Sequence, residues 1–228
     1  MPRSRKMAIA LTICFLAALT AVVIYPTRGT PPEQSDPWRS PWYRLRYDFL
    51  ANFPAHADLV MLGDSLTEWG DWRAMLADID TANQGIAGDT TAGLLRRLDF
   101  AKRTGARAIA VMIGVNDLLA RQPVSDVFGR YDQAIGALVA PGRCIIVQST
   151  LLTRRFDASL NAAIGDLDRR LAATCSGERC NFVDLNAVLA PDGELAADAT
   201  IDGLHLNIRG YTLWREALLP HLAACLRR

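Results

Sequence analysis

Five short strand-like runs, the second of them weaker, alternate along the chain with stretches of helical pattern, and this alternation constrains the fold more than any other feature. The runs cover residues 59–62, 79–84, 108–113, 144–148 and 182–185. Residues 72–76, 92–103, 124–139, 160–173 and 209–226 carry helical patterns. A run that is apolar throughout is the pattern of a strand buried on both faces. Strands that alternate with helices predict an α/β domain, a parallel sheet covered by helices on both sides. The domain is expected to span residues 41–228 and to open with an amphipathic helix over residues 41–52, with Trp42, Leu45, Phe49 and Leu50 on one face.

The N-terminus is of another kind. Arg3, Arg5 and Lys6 form a basic start over residues 1–6, and residues 7–25 are almost unbroken in their apolar character. Nineteen residues of helix span roughly the hydrocarbon core of a bilayer. The basic flank predicts a cytoplasmic N-terminus, and Val22-Val23-Ile24-Tyr25-Pro26 offers no good cleavage site. A transmembrane signal anchor is therefore expected over 7–25, with a cleaved signal peptide as the competing reading. Residues 26–40, rich in Pro, Ser and charge, read as a linker. Either reading puts the catalytic domain outside the cytoplasm, periplasmic if anchored and secreted if cleaved.

Charge and cysteine content narrow the function. Of 25 Lys and Arg, three lie in the first six residues, which leaves 22 against 24 Asp and Glu. That balance gives no electrostatic footprint for nucleic acid. Gly85-x-x-Gly88 lacks the rest of a dinucleotide fingerprint, no Gly-Lys-Ser/Thr is present, and no His clusters with the cysteines. No cofactor and no metal are expected. Cys14 lies within the apolar segment. Cys175 and Cys180 bracket a Gly-containing turn in an exported domain, which predicts a disulfide; Cys144 with Cys225 is a further possible pair.

Three of the predicted strands end in polar, Gly-containing turns: Gly63-Asp64-Ser65, Gly85-Ile-Ala-Gly88-Asp89-Thr90 and Gly114-Val-Asn116-Asp117. A fourth polar cluster, Asp202-Gly-Leu-His205, precedes the last helix. In a parallel sheet such ends face one side. Asp64 and Ser65 can serve simply as helix caps, but together the four clusters hold the parts of an acyl-transfer site. Ser65 is the candidate nucleophile and His205 the base that takes its proton. Asp202, three residues before His205, can hold the other ring nitrogen. The Ser65 and Gly88 N–H groups and the Asn116 amide are the candidate oxyanion hole. His56 and His221 have no comparable setting and read as loop and helix-surface residues.

The blocks Gly-Asp-Ser-Leu, Asn83-x-Gly-Ile-x-Gly88-Asp89-Thr90, Gly-x-Asn-Asp and Asp-Gly-x-His resemble the GDSL, or SGNH, hydrolase superfamily. Trp69, Trp72, Arg97-Leu98-Asp99, Val147-Gln148-Ser149 and Leu206-Asn207-x-x-Gly210-Tyr211 fit the same pattern. They resemble its platelet-activating-factor acetylhydrolase-like branch and related bacterial carbohydrate O-acetylesterases. The resemblance implies a three-layer αβα sandwich with a five-stranded, flavodoxin-like parallel sheet. It also implies Ser65, Asp202 and His205 as the triad and Ser65, Gly88 and Asn116 as the oxyanion hole. The expected activity is hydrolysis of short acyl esters, foremost acetyl, of a glycan or small molecule. A longer-chain lysophospholipase or thioesterase, an envelope glycan O-acyltransferase and a non-enzymatic glycan-binding scaffold are the alternatives. Trp69, Trp72 and Trp214 line a pocket or fill core, and Arg96, Arg97, Arg154 and Arg155 read as solvated faces rather than as an anion site.

Overall fold

A computed structural model describes residues 40–175 and 179–227. Its centre is a five-stranded, wholly parallel sheet in the order β2-β1-β3-β4-β5. The strands are β1 (Leu59–Gly63), β2 (Thr81–Gly85), β3 (Ala108–Met112), β4 (Cys144–Gln148) and β5 (Asn181–Val183). This is the doubly wound order whose direction reverses between β1 and β3. All five lie where the strand-like runs predict them, β4 with the same ends and the others with ends that shift by at most two residues.

Alternation along the strands builds two cores, as the period-two geometry of a strand requires. Val60, Leu62, Ile109, Val111, Ile145 and Val147 point to one face, where Tyr131 and Ile135 of α7 (Val124–Leu138) and Ile164 and Leu167 of α8 (Ala158–Thr174) cover them. Leu59, Met61, Ala108, Ala110, Met112 and Ile146 point to the other, packed by Trp214, Leu218 and Leu222 of α10 (Ile208–Leu226). The domain is thus an α/β fold with a five-stranded parallel sheet flanked by helices. Both cysteine pairs are bridged: Cys175–Cys180 joins the end of α8 to the residue before β5, and Cys144–Cys225 fastens the start of β4 to the end of α10.

Two helices depart from expectation. The pattern over 92–103 breaks into α4 (Thr91–Arg96) and α5 (Leu98–Arg103), because Arg97 leaves helical geometry (φ −124°, ψ 13°) to turn its side chain inward. Helix α1 (Pro41–Asn52) forms, capped by Ser40, but its Trp42, Leu45 and Phe49 face solvent. The side it buries carries Tyr43 and the partly buried Arg46, which donates to the carbonyls of Asn83 and Gly85 at the end of β2. Polar anchoring, not the apolar face, holds α1 to the domain.

Among the described residues no helix is long and apolar enough to cross a membrane. The expected span over 7–25 lies outside those residues, as does the linker up to residue 39.

Candidate active site

The three strand-end turns and the Asp202–His205 loop meet at the carboxyl end of the sheet, on both sides of the β1/β3 switch point. At Gly63, the last residue of β1, a Cβ would collide with the Met112 carbonyl and the Thr67 hydroxyl. The chain then turns sharply. Asp64 caps the four-residue helix α2 (Ser65–Glu68), its carboxylate accepting from the Leu66 N–H at 3.0 Å. The capping role read for Asp64 is therefore real, and it leaves Ser65 as the first helical residue. The Ser65 N–H, like the first N–H groups of any helix, has no partner within the helix, and among the described residues nothing else accepts from it.

His205 reaches Ser65 from a loop closed by its own hydrogen bonds. The Thr200 hydroxyl donates to the His205 carbonyl at 2.6 Å and accepts from the Gly203 N–H at 2.9 Å. Within this frame His205 Nε2 stands 3.1 Å from Ser65 Oγ, and His205 Nδ1 stands 2.9 Å from Asp202 Oδ2. The other Asp202 oxygen accepts from the N–H groups of His205 (2.7 Å) and Leu204 (3.0 Å). Partial burial pushes the Asp202 carboxyl up, but these bonds from His205 and Leu204 outweigh it and bring it down to about 2. Asp202 is a fixed anion that orients the ring, with Nδ1 as donor and Nε2 free to accept from Ser65.

The two remaining predicted members, Gly88 and Asn116, are linked through the loop after β2. Gly88 sits in the loop after β2 with φ 79°, a left-handed conformation suited to glycine. Among the described residues nothing accepts from its N–H. Asn116, on α6 (Val115–Leu119), donates one amide hydrogen to the carbonyl of Asp89 at 2.9 Å. The second hydrogen of that amide remains for a ligand. Every sequence-predicted site residue is thus found at the same end of the sheet, with Ser65, His205 and Asp202 in hydrogen-bond sequence and Asn116 bonded to the Gly88–Asp89 loop.

Beneath the site lies a polar frame that the sequence reading missed. Arg97, read as a solvated residue, is wholly buried. It donates to Asp89 (2.7 Å), to the Gln84 carbonyl (2.6 Å) and to the Gly63 carbonyl (2.8 Å), tying together the turns that carry Ser65 and Gly88. Tyr43 of α1 adds its hydroxyl to Asp89 at 3.0 Å. Burial first, and then the Asp89 charge, hold that phenol protonated, so it can only donate here. Asp117, beside Asn116, accepts from the Thr91 N–H and hydroxyl at 2.9 and 2.7 Å and pairs with Arg130 at 3.2 Å. Asn83 donates to the carbonyls of Thr67, Glu68 and Gly70, which fixes the segment after Ser65. The available signal was a polar Asn-Gln pair inside an otherwise strand-like run.

The tryptophans divide. Trp72 and Trp214 are core, with Trp72 donating to the Thr67 carbonyl and Trp214 to Gln148 Oε1. Trp69 is half exposed and stacks on the His205 ring, centroids 4.1 Å apart. Arg155 pairs with Asp202 at 3.1 Å and Arg154 with Glu194 at 2.7 Å. His56 is exposed in the loop before β1, and His221 lies partly buried on α10.

Comparisons with known proteins agree with this architecture. The chain is 29% identical over 167 residues to an N-acylneuraminate cytidylyltransferase of Streptococcus agalactiae, a match covering 73% of this chain and 38% of that protein. The chain therefore spans well under half the length of these first curated relatives. It is 27% identical over 199 residues to platelet-activating factor acetylhydrolase IB subunit alpha1 of Rattus norvegicus, covering 82% of this chain and 84% of the other. A GDSL-like lipase from Bacteroides thetaiotaomicron shares the fold with TM-score 0.69 at 18% identity, covering 80% and 97% of the two chains. An acetyl-xylooligosaccharide esterase from a Geobacillus does so with TM-score 0.60 at 17% identity, covering 74% and 94%. The sequence model of the GDSL-like lipase/acylhydrolase family matches residues 61–213, from within β1 to within α10. With that match over most of its length, the chain belongs to the GDSL-like lipase/acylhydrolase family, whose members are hydrolases of carboxylic esters.

Proposed function

We propose that the protein is a serine esterase that removes short acyl groups, foremost acetyl, from a glycan or small-molecule ester. The observation that carries this reading is the uninterrupted sequence Ser65 Oγ, His205 and Asp202, with contacts of 3.1 and 2.9 Å. His205 Nε2 takes the Ser65 proton as Oγ attacks the ester carbonyl. The negative charge that develops on the former carbonyl oxygen is met by the N–H groups of Ser65 and Gly88 and by the Asn116 amide. Collapse breaks the bond to the alcohol, which leaves with the proton held on His205, and the acyl group remains on Ser65. Water then gives its proton to His205 and attacks the acyl carbonyl, releasing the carboxylic acid and restoring Ser65.

The short acyl group draws support from the relatives named as an acetylhydrolase and an acetyl-xylooligosaccharide esterase. Trp69 beside His205 supplies an apolar platform for the substrate at the site's mouth. The test is a ladder of nitrophenyl esters from acetate to octanoate and beyond, run with acetylated oligosaccharides. Turnover that peaks at acetate and disappears in Ser65→Ala supports the proposal. Turnover that rises to octanoate shows a lipid or thioester hydrolase instead. Acyl transfer to added glycan with little hydrolysis shows a transferase.

A further inference from the structure

Helix α1 exposes what a helix in a globular domain ordinarily buries. Trp42, Leu45, Phe49 and Phe53 are 58, 49, 51 and 72% exposed. Their spacing of three, four and four residues places them in one stripe along the helix and its C-cap. The Phe49 and Phe53 rings lie 5.9 Å apart and continue the stripe. The adjoining side is already engaged: Tyr43 with Asp89, Arg46 with the end of β2, and Tyr47 edge-on to Phe100 at 5.0 Å. The stripe therefore takes no part in attaching α1 to the domain.

This exposure is not scattered. Of nine exposed large apolar side chains among the described residues, these four lie on α1 and its C-cap, and Trp69, Ile201 and Ile208 belong to the segments around His205. The other two among the described residues, Val139 and Val188, fall elsewhere. Concentrated exposure of this kind marks an interaction surface rather than the ordinary apolar speckle of a protein. Arg46 also pairs with Glu68 at 3.6 Å, and Glu68 immediately precedes Trp69. Whatever α1 docks on, the mouth of the site is held near it.

We propose that this stripe of α1 docks on a phospholipid surface and lies flat in its interface. The chain outside the described residues argues for that occupant. An apolar stretch of bilayer-spanning length, residues 7–25, ends fifteen residues before α1 begins at Pro41. Fifteen extended residues reach about 50 Å at most, so a membrane-embedded 7–25 keeps α1 within reach of the headgroups. Trp and Phe on the exposed side of a short helix are also the residues that favour the interfacial zone over either bulk phase.

The test uses the full chain reconstituted into phosphatidylethanolamine–phosphatidylglycerol vesicles. Lipids brominated near the headgroup end of the acyl chain should quench a component of tryptophan emission that is missing in Trp42→Phe. Amide exchange over residues 45–53 should be slowed by the vesicles and return at least tenfold faster in Leu45→Ser/Phe49→Ser/Phe53→Ser. Hydrolysis of nitrophenyl acetate should be unchanged in that variant, because none of the three residues touches the site. Equal quenching in wild type and Trp42→Phe, or equal exchange with and without the three substitutions, overturns the proposal. So does a protein dimer seen by analytical ultracentrifugation that the triple variant abolishes, since the stripe would then face a second copy of the chain.

Discussion

Arg97 and Asp89 form an ion pair of 2.7 Å in which neither side chain is exposed at all. A buried pair is weak evidence of net stabilisation, because two charges have lost their water. Here both remaining nitrogens of the guanidinium are also engaged: the Gln84 and Gly63 carbonyls accept from Nη1 and Nη2. Removing one member leaves the other charge buried and alone. Arg97→Met is therefore expected to destabilise the domain by about 3–5 kcal/mol, read by urea unfolding. Arg97→Lys should recover only part of that loss, since an ammonium lacks the planar fork that serves three acceptors. A loss below 1 kcal/mol in Arg97→Met would show that water or a rearranged neighbour replaces the guanidinium.

Asp64 predicts how stability depends on pH. It is 1% exposed, and burial raises its carboxyl to about 7, opposed by the Leu66 N–H bond. In the unfolded chain an Asp ionises near about 3.9. Between these two values the folded state holds the proton and the unfolded state does not. Stability should therefore be greatest below about pH 4 as far as this group is concerned, and decline as pH rises towards 7. Asp64→Asn keeps the cap and cannot ionise, so it should flatten that decline in thermal unfolding measured from pH 4 to 8. An unchanged slope in the variant would assign the pH dependence to other buried carboxyls, such as Asp168, which burial raises to about 8.

The sheet and the reacting groups were legible because they rest on local signals. A strand-like run followed by Gly and polar residues marks a strand end; three such ends named Ser65, Gly88 and Asn116, and the polar cluster before the last helix named Asp202 and His205. What stayed hidden depends on distant neighbours. Arg97 sits in a helical pattern beside Arg96, and nothing local says that its guanidinium turns under β1 and β2. The face of α1 misled for the same reason. Its apolar stripe signals burial, yet Tyr43 and Arg46 have better partners in Asp89, Asn83 and Gly85, all some forty residues away. The three tryptophans are alike by sequence, and only tertiary packing separates Trp69 from the core pair.

The Cys144–Cys225 bridge closes a loop with sequence separation 81 and joins β4 to the last turns of α10. A cross-link over so long a loop restricts the unfolded chain strongly. Cys144→Ser/Cys225→Ser should cost about 2–5 kcal/mol, whereas Cys175→Ser/Cys180→Ser, with a separation of only 5, should cost less. Unfolding midpoints of the two double variants decide the order. Non-reducing peptide mapping of the protein should recover both pairs, and free thiols at all four positions would remove the basis of the comparison.

The catalytic prediction turns on which group loses its function as conditions or residues change. Asp202 keeps its charge down to about pH 2 because the His205 and Leu204 bonds outweigh its partial burial. Loss of esterase activity on mild acidification therefore does not report loss of the Asp202 anion. His205→Ala should be as inactive as Ser65→Ala, because a nucleophile and its base act as a unit. Asp202→Asn should lower kcat by about 10³–10⁴, since the amide no longer enforces the tautomer that leaves Nε2 free. Asn116→Ala should lower kcat by about 10²–10³ with KM nearly constant, because its amide acts on charge that exists only in the transition state. Its existing bond to the Asp89 carbonyl makes the alternative specific. If Asn116→Ala left kcat unchanged and only lowered the unfolding midpoint, Asn116 would be a brace for the Gly88–Asp89 loop, and the oxyanion would rest on the Ser65 and Gly88 N–H groups alone.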